Sequence, residues 1–457
     1  MTRVPGHTSL EDASFQEQNS SRDAALVARQ PIFDVHNNVP AYELLFRDPA
    51  MQPGLGGRSP TAATATVLVD GFELIRPTLC PGQRLFINFT EEALAAELAT
   101  LLPPEFCGVE ILESVRPTHA VLQGLNTLKR HGYQLALDDY TGQRELADFL
   151  PLVDIIKVDV TGKGEEELRR LVQTLHQHKV ELLAEKVEDR SMVQLCRDLH
   201  FSFFQGFFFG QAEIVTGKKL SSAQATKFRL LSLSADANKL NSLADAVMAD
   251  VFLAYKLLRY INSAYFGLSK KVQSIKQAIL LLGQQKFHQW LCVTTLAELD
   301  AAPMGRELAY TSALRGKFLE LLARRNDEAL ARGGKTAALL QRDMGASFFL
   351  LGLFSLLENI LHIPMSEALD MLPVEETIAE ALARGSGPYA PWLDLIRAYE
   401  YGVWDRVDAI ASGLGQSAAV LRTSYTEAAL WAAEIFNSNA APADRVRRVD
   451  FRSNAPA

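Results

Sequence analysis

The feature that most constrains the fold is an alternation of short apolar runs with helical patterns over residues 24–217. The runs have the length and the Val, Ile, Leu and Phe content of buried strands. They are LVARQPIF (26–33), AYELLFR (41–47), RLFINF (84–89), GVEILE (108–113), QLALDD (134–139), VDIIKVD (153–159), VELLAEKV (180–187) and FFQGFFF (203–209). Helices are predicted between most of them, at about 60–76, 90–101, 117–131, 164–178 and 189–199.

Strands that alternate with helices favour a parallel sheet covered by helices. This many strand–helix units in one stretch favours a closed, TIM-like β/α barrel over an open doubly wound sheet. No GxGxxG sequence follows a strand, which argues against a dinucleotide-binding fold.

Beyond about Leu220 no further strand pattern appears, so the second half is predicted to be all-α. Its predicted helices lie at about 221–233, 239–248, 251–262, 272–282, 284–298, 346–361, 375–384, 390–402 and 416–437. A polar stretch bearing Arg and Gly interrupts them at 324–336. The polar segments 1–23 and 438–457 are predicted to be flexible tails. The predicted fold is therefore a β/α barrel followed by an all-α domain.

Composition excludes several classes of protein. The net charge of −8, from 46 basic and 54 acidic residues, does not suggest a nucleic-acid polymer as partner. The four cysteines form no CxxC pair, which argues for reduced, buried thiols and against zinc or disulfides. No apolar run is long enough to span a membrane, and no signal-peptide pattern is present. We therefore expect a cytoplasmic protein.

The adjacent carboxylates of Asp138 and Asp139 follow directly on a strand-like run. Like charges side by side repel, and a bound cation is the usual reason to keep both ionised. A solvated turn is the alternative, because Asp favours turns. Polar residues also follow other apolar runs of this half, and this recurrence favours a cation-binding site over a solvated turn.

Barrel enzymes build the active site at the carboxyl ends of the strands. The polar residues predicted to lie there are Glu43, Asn88, Glu110, Glu113, Asp138, Asp139, Lys157, Asp159, Glu185, Glu188 and Gln205. Carboxylates and an amide, without His or Cys, suit Mg²⁺ or Mn²⁺ better than zinc. Two such ions about 4 Å apart can clamp a phosphodiester and activate a water.

The motifs around these residues resemble those of one family. They are Gln30-Pro31-Ile32, Glu43-Leu44-Leu45-Phe46-Arg47, Asn88 in FINF, Glu110-Ile111-Leu112-Glu113-Ser114, Leu137-Asp138-Asp139, Ile156-Lys157-Val158-Asp159, Ala184-Glu185-Lys186-Val187-Glu188 and Gln205-Gly206. In this order they resemble the EAL family, phosphodiesterases that open cyclic di-GMP to linear pGpG. The signature Glu-Ala-Leu-x-Arg differs from Glu43–Arg47 by one conservative change.

The resemblance implies two Mg²⁺ or Mn²⁺ ions and cyclic di-GMP as the ligand. The implied ligands of the first ion are Glu43, Asn88, Glu110 and Asp138. Those of the second ion are Asp138, Asp139 and Glu185, with Asp159 nearby.

The resemblance also implies roles in catalysis and substrate binding. Lys157 would hold the attacking water, and Glu185 would act as the base. Glu113 would steady the loop after Asp139. The implied substrate-binding residues are Gln30, Arg47 and Gln205.

Two departures from the family pattern affect the expected activity. After the Asp pair the family usually reads Phe-Gly-Thr-Gly-Tyr-Ser-Ser, and this chain reads Tyr-Thr-Gly-Gln-Arg-Glu at 140–145. The Glu-Gly-Val-Glu motif has become Glu185-Lys186-Val187-Glu188, which places a cation beside the site. Misplacement of reacting groups by about 1 Å can cost roughly a hundredfold in rate. A weak or inactive cyclic di-GMP receptor or a protein-interaction scaffold is therefore the alternative to a hydrolase, and an unrelated barrel enzyme is a third.

Residues 257–283 resemble the HDOD family, a helical relative of the metal-dependent HD hydrolases. Where the hydrolases carry His-Asp, this chain carries Ser355 and Leu356, which cannot bind a metal. We therefore predict a docking or regulatory HDOD domain at 220–410, with a helical extension at 411–437 and a protein partner. The loop after the Asp pair contributes to dimerisation in the EAL family, so its divergence leaves a homodimer open.

Overall fold

The computed structural model describes residues 26–47, 68–69, 71–206, 227, 247–300, 302–330 and 335–439. The predicted tail at 1–23 lies outside these residues, as does the tail at 438–457 apart from residues 438 and 439. The predicted helices at 221–233 and 239–248 also lie outside them, apart from residues 227, 247 and 248.

Eight strands close into a barrel, in the order of the sequence. They are β1 (Leu26–Asp34), β2 (Ala41–Arg47), β3 (Arg84–Phe89), β4 (Cys107–Ile111), β5 (Gln134–Leu137), β6 (Ile155–Asp159), β7 (Glu181–Glu185) and β8 (Phe203–Phe204). The barrel fold and every predicted strand are confirmed, with shifted ends. In the last predicted strand, residues 207–209 lie outside the described part of the chain.

The first strand corrects the prediction of a parallel sheet. β1 runs antiparallel to both of its neighbours, β2 and β8, whereas β2 to β8 are parallel. The six residues 35–40 that join β1 to β2 are too few for a crossover helix, so the chain turns back as a hairpin. Asp34 accepts hydrogen bonds from the backbone of His36 and Asn38, and Asn37 takes a positive φ of 60°.

Short helices cover the outside of the barrel and begin at recognisable caps. They are α1 (Glu91–Ala95), α2 (His119–Arg130), α3 (Glu165–Leu175) and α4 (Arg190–Asp198). The side chains of Thr90, Thr118 and Asp189 accept backbone hydrogen bonds at the starts of α1, α2 and α4. Between β5 and β6 the chain forms a 3-10 turn, Arg144–Phe149.

The second half is helical, as predicted, and its described helices are α5 to α14. They are α5 (Val251–Ile261), α6 (Ile275–Ala297), α7 (Pro303–Leu330), α8 (Lys335–Phe354), α9 (Leu357–Leu361), α10 (Met365–Asp370), α11 (Glu376–Arg384), α12 (Ala390–Glu400), α13 (Trp404–Gly413) and α14 (Ala418–Asn439). The predicted helices 272–282 and 284–298 correspond to the two parts of α6, which are separated by the non-helical backbone of Gly283 (φ 75°).

Helix α7 was not predicted, and it pairs closely with α8. A Cβ atom on Gly352 of α8 would lie 2.4 Å from backbone atoms of Arg315 and Gly316 on α7. Residues 318–323 of α7 are all buried, so this helix is enclosed on every side. A helix enclosed in this way lacks the single apolar stripe that signals an amphipathic helix in a sequence. The interruption between helices that was predicted at 324–336 is shorter than expected, because α7 extends to Leu330 and α8 begins at Lys335.

Helix α14 returns from the end of the helical half to the barrel. The hydroxyl of Tyr425 on α14 accepts a hydrogen bond from the backbone N–H of Arg29 on β1, at 3.4 Å. Tyr310 of α7 donates to the carbonyl of Ala429 on α14, at 3.2 Å. The segment predicted as a C-terminal extension is therefore packed into both halves of the molecule.

Two exclusions drawn from composition can be compared with the structure. None of the helices in the described part of the chain combines the length and hydropathy that a bilayer crossing requires. No disulfide joins the four cysteines, all of which lie in the described part of the chain; Cys107, Cys196 and Cys292 are buried, but Cys80 is exposed, which corrects the expectation of four buried thiols.

Candidate active site

The barrel interior is built in two layers, because alternate residues of a strand point to the same side of the sheet. The lower layer is apolar, and we call it the apolar layer: Ile32, Ala41, Phe86, Ala136, Ile155, Leu183 and Phe203. Two residues further along each strand, or two residues earlier in the reversed β1, comes a polar residue. We call this second set the polar ring: Gln30, Glu43, Asn88, Glu110, Asp138, Lys157, Glu185 and Gln205.

Lys157 occupies the centre of the polar ring. Its side chain is 1% exposed, and its Nζ lies 2.9–3.1 Å from a carboxylate oxygen of each of four acidic residues. They are Glu43, Glu110, Asp138 and Glu185. The structure thus brings four carboxylates from four different strands onto one ammonium group.

The electrostatics of the polar ring are dominated by burial and by an excess of carboxylates. Burial lowers the pKa of Lys157, but the four carboxylates outweigh it and hold that pKa well above its usual value. Burial, together with neighbouring carboxylates, raises the pKa of Glu110 far above its usual range. Burial likewise raises the pKa of Glu185 to about 8, although Lys157 acts in the opposite direction. Raised carboxyl pKa values are expected where several acids share one cation, because the carboxylates repel one another. This excess of negative charge means that the ring can accept a further positive charge.

The amides of the polar ring orient the central carboxylates. Asn88 donates from Nδ2 to Oε1 of Glu43, at 3.1 Å. Gln205 donates from Nε2 to Oε2 of Glu43, at 2.9 Å, and to Oε1 of Gln30, at 2.8 Å. Gln30 therefore faces the ring even though its strand runs in the opposite direction.

Four buried oxygens of the polar ring have no hydrogen-bond partner within the described residues. They are Oδ1 of Asn88, Oε1 of Glu110, Oε1 of Gln205 and Oδ1 of Asp138, the last of which forms an ion pair with Nζ of Lys157 at 3.0 Å. A buried polar oxygen without a partner is costly, and a cation or a ligand donor would satisfy it. The donor set of Glu43, Asn88, Glu110 and Asp138 is all oxygen, which fits a hard divalent cation. No three Asp, Glu, His or Cys side chains in the described part of the chain are already spaced as ligands of one ion, since Lys157 stands among the carboxylates.

A second group of charges lies at the rim of the barrel, beyond the polar ring. Asp139 follows β5, Asp159 ends β6, and Lys186 follows β7. The Nζ of Lys186 lies 2.6 Å from Oδ2 of Asp159. Burial raises the pKa of Asp139, and Lys186 opposes that rise. Asp139 and Asp159, which the sequence predicts to be metal ligands, therefore lie close to the ammonium group of Lys186.

The loop after Asp139 is held by contacts that the sequence did not predict. Gln143 donates from Nε2 to the Asp139 carbonyl at 3.2 Å, and its Oε1 accepts from the Thr141 backbone at 2.7 Å. Tyr140 is buried, and its N–H donates to the Lys157 carbonyl at 3.0 Å. Glu113 is exposed after β4 and acts on Asp139 through its charge. Its role in steadying this loop stays a prediction.

Comparison with known sequences decides the family. The sequence model of the EAL domain matches residues 79–212, and that of the HDOD domain matches residues 223–387. The uncharacterized protein YuxH of Bacillus subtilis (strain 168) is 32% identical over 414 residues, which cover 89% of this chain and 97% of YuxH. The chain belongs to the EAL-HDOD family.

Two further EAL proteins are similar to this EAL-HDOD chain. The cyclic di-GMP phosphodiesterase CdgJ of Vibrio cholerae serotype O1 is 30% identical over 417 residues, covering 90% of this chain and 92% of CdgJ. The structure of a standalone EAL protein from Vibrio cholerae O395 with cyclic di-GMP bound has a TM-score of 0.35 and 20% identity, covering 41% of this chain and 92% of that one.

The match to the EAL domain begins after the first two strands. Gln30, Glu43 and Arg47 lie on β1 and β2, outside residues 79–212. The structure nevertheless closes the barrel with these strands and places Gln30 and Glu43 in the polar ring.

Arg47, the arginine of the EAL signature, contacts the helical half. Its guanidinium forms two hydrogen bonds to the carboxylate of Asp408 on α13, at 2.5 and 2.9 Å. Asp408 lies beyond residues 223–387 that match the HDOD domain. No local sequence pattern indicates this pair, because the partners are 361 residues apart.

Arg29 joins the EAL barrel to the HDOD half and was not singled out in the sequence. It is 6% exposed and donates from Nη1 to Oγ1 of Thr78 at 2.8 Å. The rings of Tyr42 and Tyr310 lie 4.0 and 4.4 Å from its guanidinium carbon. Tyr42 in turn donates to Glu307 of α7, at 3.0 Å. Cation–π contacts therefore connect β1, β2 and α7.

The place where HD hydrolases carry His-Asp holds a structural arginine contact. Ser355 accepts a hydrogen bond from Nη1 of Arg315 at 3.0 Å, and Arg315 also binds Glu400 at 2.6 and 2.9 Å. Leu356 is buried in the core. These side chains are occupied with packing and ion pairing, and the non-catalytic character of the helical half stays a prediction.

Proposed function

We propose that the EAL barrel of this chain hydrolyses cyclic di-GMP to linear pGpG with Mg²⁺ or Mn²⁺. The observation that carries the proposal is the polar ring, which gathers four carboxylates around Lys157 and leaves buried oxygens of Asn88 and Glu110 without hydrogen-bond partners among the described residues. Kinship with CdgJ, which is named a cyclic di-GMP phosphodiesterase, supports this substrate.

Four residues of the polar ring would hold a divalent ion: Glu43, Asn88, Glu110 and Asp138. When bound, the ion would supply positive charge that polarises the phosphodiester and makes a nearby water more acidic. Their oxygen donors come from neighbouring strands of a closed barrel, so rigid elements position them.

The chain's own groups account for the proton transfers. Lys157 keeps its charge at neutral pH, because its pKa is raised, and its ammonium can hold the attacking water and offset charge on the phosphate. Burial raises the pKa of Glu185, so its carboxylate is a stronger base than that of an exposed glutamate, while the Lys157 ammonium at 2.9 Å favours the carboxylate form that can take a proton. The water oxygen forms a bond to phosphorus as Glu185 takes its proton. The bond from phosphorus to the ribose O3′ breaks, and O3′ receives the proton that Glu185 took from the water, which returns Glu185 to its starting charge.

Three further residues would bind the nucleotide. Oε1 of Gln205 is buried without a hydrogen-bond partner in the described residues, so it can accept a bond from a guanine N–H. Gln30 is bonded to Gln205 and would orient it. Arg47 would bind a phosphate if Asp408 released it.

The test is incubation of the full-length protein with cyclic di-GMP and Mn²⁺ or Mg²⁺, followed by separation of the nucleotides. We expect pGpG from the wild type and a loss of at least about a hundredfold in rate for Glu43→Ala, since this change removes a ligand and two hydrogen-bond acceptors. Glu73→Ala is the matched control, because Glu73 is exposed and forms a surface ion pair with nearby Arg76. Unchanged turnover in Glu43→Ala would contradict the site assignment.

A second candidate function is a cyclic di-GMP receptor that turns over slowly or not at all. The observation that favours it is the Arg47–Asp408 pair, which occupies the arginine expected to bind a phosphate. Binding measured in Ca²⁺, without any pGpG in Mn²⁺ or Mg²⁺, would identify a receptor. Neither binding nor product would leave a protein-interaction scaffold.

We propose a docking or regulatory role for the HDOD half. Its contacts to the barrel through Arg29 and Arg47 support this role, since a change in the helices could reach the EAL rim directly. A protein partner for this half, a homodimer and a cytoplasmic location stay predictions.

A further inference from the structure

Lys186 lies where a second divalent ion would need free carboxylates. Its Nζ is 2.6 Å from Oδ2 of Asp159, and its charge also acts on Asp139 and Glu185. Burial raises the pKa of Asp159, but the hydrogen bonds from Lys186 and Thr161 together with the charge of Lys186 hold that pKa below its usual value. The lysine therefore already neutralises the acids at this side of the rim.

The backbone of Lys186 is fixed in place. Val187 donates to the Gln205 carbonyl at 3.0 Å, and Gln205 donates to the Ala184 carbonyl at 2.8 Å, which ties both sides of Lys186 to the end of β8. Gly206 packs against this segment so closely that a Cβ atom would lie 2.3 Å from the Val187 nitrogen. The side chain can rotate, but its Cα cannot move away from the rim.

The conformation of Lys186 is one that glycine adopts more easily. Its φ is +54°, in the left-handed region where a side chain costs about 1 kcal/mol or more. A lysine here therefore costs stability that its contact with Asp159 can offset. Glycine at this position would remove both the strain and the charge.

A lysine and a divalent ion compete for the same carboxylates. An exposed ion pair alone is weak, and Lys186 is 58% exposed. However, the tethered ammonium stays within reach of Asp139, Asp159 and Glu185, and it repels a dication at a partly buried site. The polar ring lies deeper in the barrel. Its buried oxygens on Asn88 and Glu110 have no hydrogen-bond partner among the described residues, and the position of the Lys186 side chain does not change this.

We infer that the ammonium group of Lys186 takes the place of a second divalent ion, so that the barrel binds one Mg²⁺ or Mn²⁺ per chain, in the polar ring. The inference rests on the proposed function, because it assumes that the ring is a cation site. It assigns to Lys186 the second positive charge that two-ion phosphodiesterases take from a metal.

The experiment counts Mn²⁺ ions bound by the metal-stripped, full-length protein without nucleotide, by equilibrium dialysis and calorimetry. We expect one ion for the wild type and two for Lys186→Gly and Lys186→Gln, with the affinity for the second ion raised at least about tenfold. Lys186→Gln keeps a side chain in the strained conformation, and so separates the effect of charge from that of backbone relief. Lys179→Gln is the control, because it removes one exposed ammonium just before β7.

The outcomes distinguish the inference from the proposed function. Two ions of similar affinity in the wild type would overturn the role of Lys186 and leave the phosphodiesterase proposal intact. One ion in the wild type and in both folded Lys186 variants would also overturn it. A folded wild-type protein that binds no Mn²⁺ would instead overturn the cation site on which the proposed function rests.

Discussion

At the scale of single residues, Lys157 holds the centre of the barrel together. A buried lysine without a partner would be strongly unfavourable, and four carboxylates without a cation would be worse. Here the buried ammonium and the buried carboxylates neutralise each other. The Nζ of Lys157 lies 2.9–3.1 Å from an oxygen of each of the four carboxylates. The same residue is thus needed for the fold and proposed for the chemistry.

We expect Lys157→Met to lower the free energy of unfolding by about 3–5 kcal/mol, because it leaves buried carboxylates without their counter-charge. The measurement is urea denaturation in the presence of EDTA, which keeps metal ions from replacing the lost charge. Lys179→Met serves as the control, since Lys179 is exposed. A loss below about 1 kcal/mol would mean that the carboxylates are not held by this lysine.

At the scale of elements, the strand period of two sets the layers of the barrel. Residues two apart share a side, so each apolar-layer residue fixes where its polar-ring neighbour points. On β4 the lower position is Gly108, and a Cβ atom there would lie 2.5 Å from the ring of Phe86. Phe86 therefore fills the space beneath Glu110.

We predict that Gly108→Ala destabilises the barrel by about 1–3 kcal/mol through overpacking against Phe86. The double variant Gly108→Ala/Phe86→Leu should lose less than the sum of the two single changes, because the shorter side chain leaves room for the methyl group. Thermal or urea unfolding of the four proteins measures this coupling. Gly413→Ala is the control, because a Cβ atom there meets nothing within 4 Å. Strict additivity would show that Phe86 is not the obstacle.

At the scale of the whole molecule, the helical half contacts the barrel at the strand that carries the EAL signature. Arg47 pairs with Asp408, and a Cβ atom on Gly402 would lie 3.2 Å from the Leu45 side chain. Arg29, one strand away, stacks on Tyr310 of α7. The two halves are joined by specific polar contacts, through which the state of the helices can affect nucleotide binding.

Asp408→Ala should raise the affinity for cyclic di-GMP by about two- to fivefold, because it frees Arg47 from an exposed ion pair worth up to about 1 kcal/mol. Calorimetric titration in Ca²⁺ measures this affinity under conditions where product formation is not required. Asp405→Ala lies on the same helix and tests for general damage to α13. An equal or lower affinity in a folded Asp408→Ala protein would rule out competition for Arg47.

The sequence by itself determined the strands, the helical second half and the residues of the polar ring. These depend on local pattern: the period of two places Glu43, Glu110 and Lys157 on the inner side of their strands, and short-range motifs identify their family. The roles of these residues in catalysis stay predictions.

Only the tertiary structure decided the direction of β1, the presence of α7 and the partners of the charged side chains. Helix α7 is buried on all sides over residues 318–323, so it lacks the single apolar stripe by which a sequence pattern reveals an amphipathic helix. The pairs of Arg47 with Asp408 and of Lys186 with Asp159 join residues 361 and 27 positions apart. Contacts between residues far apart in the chain depend on how the elements pack against one another, and a local pattern carries no record of that packing.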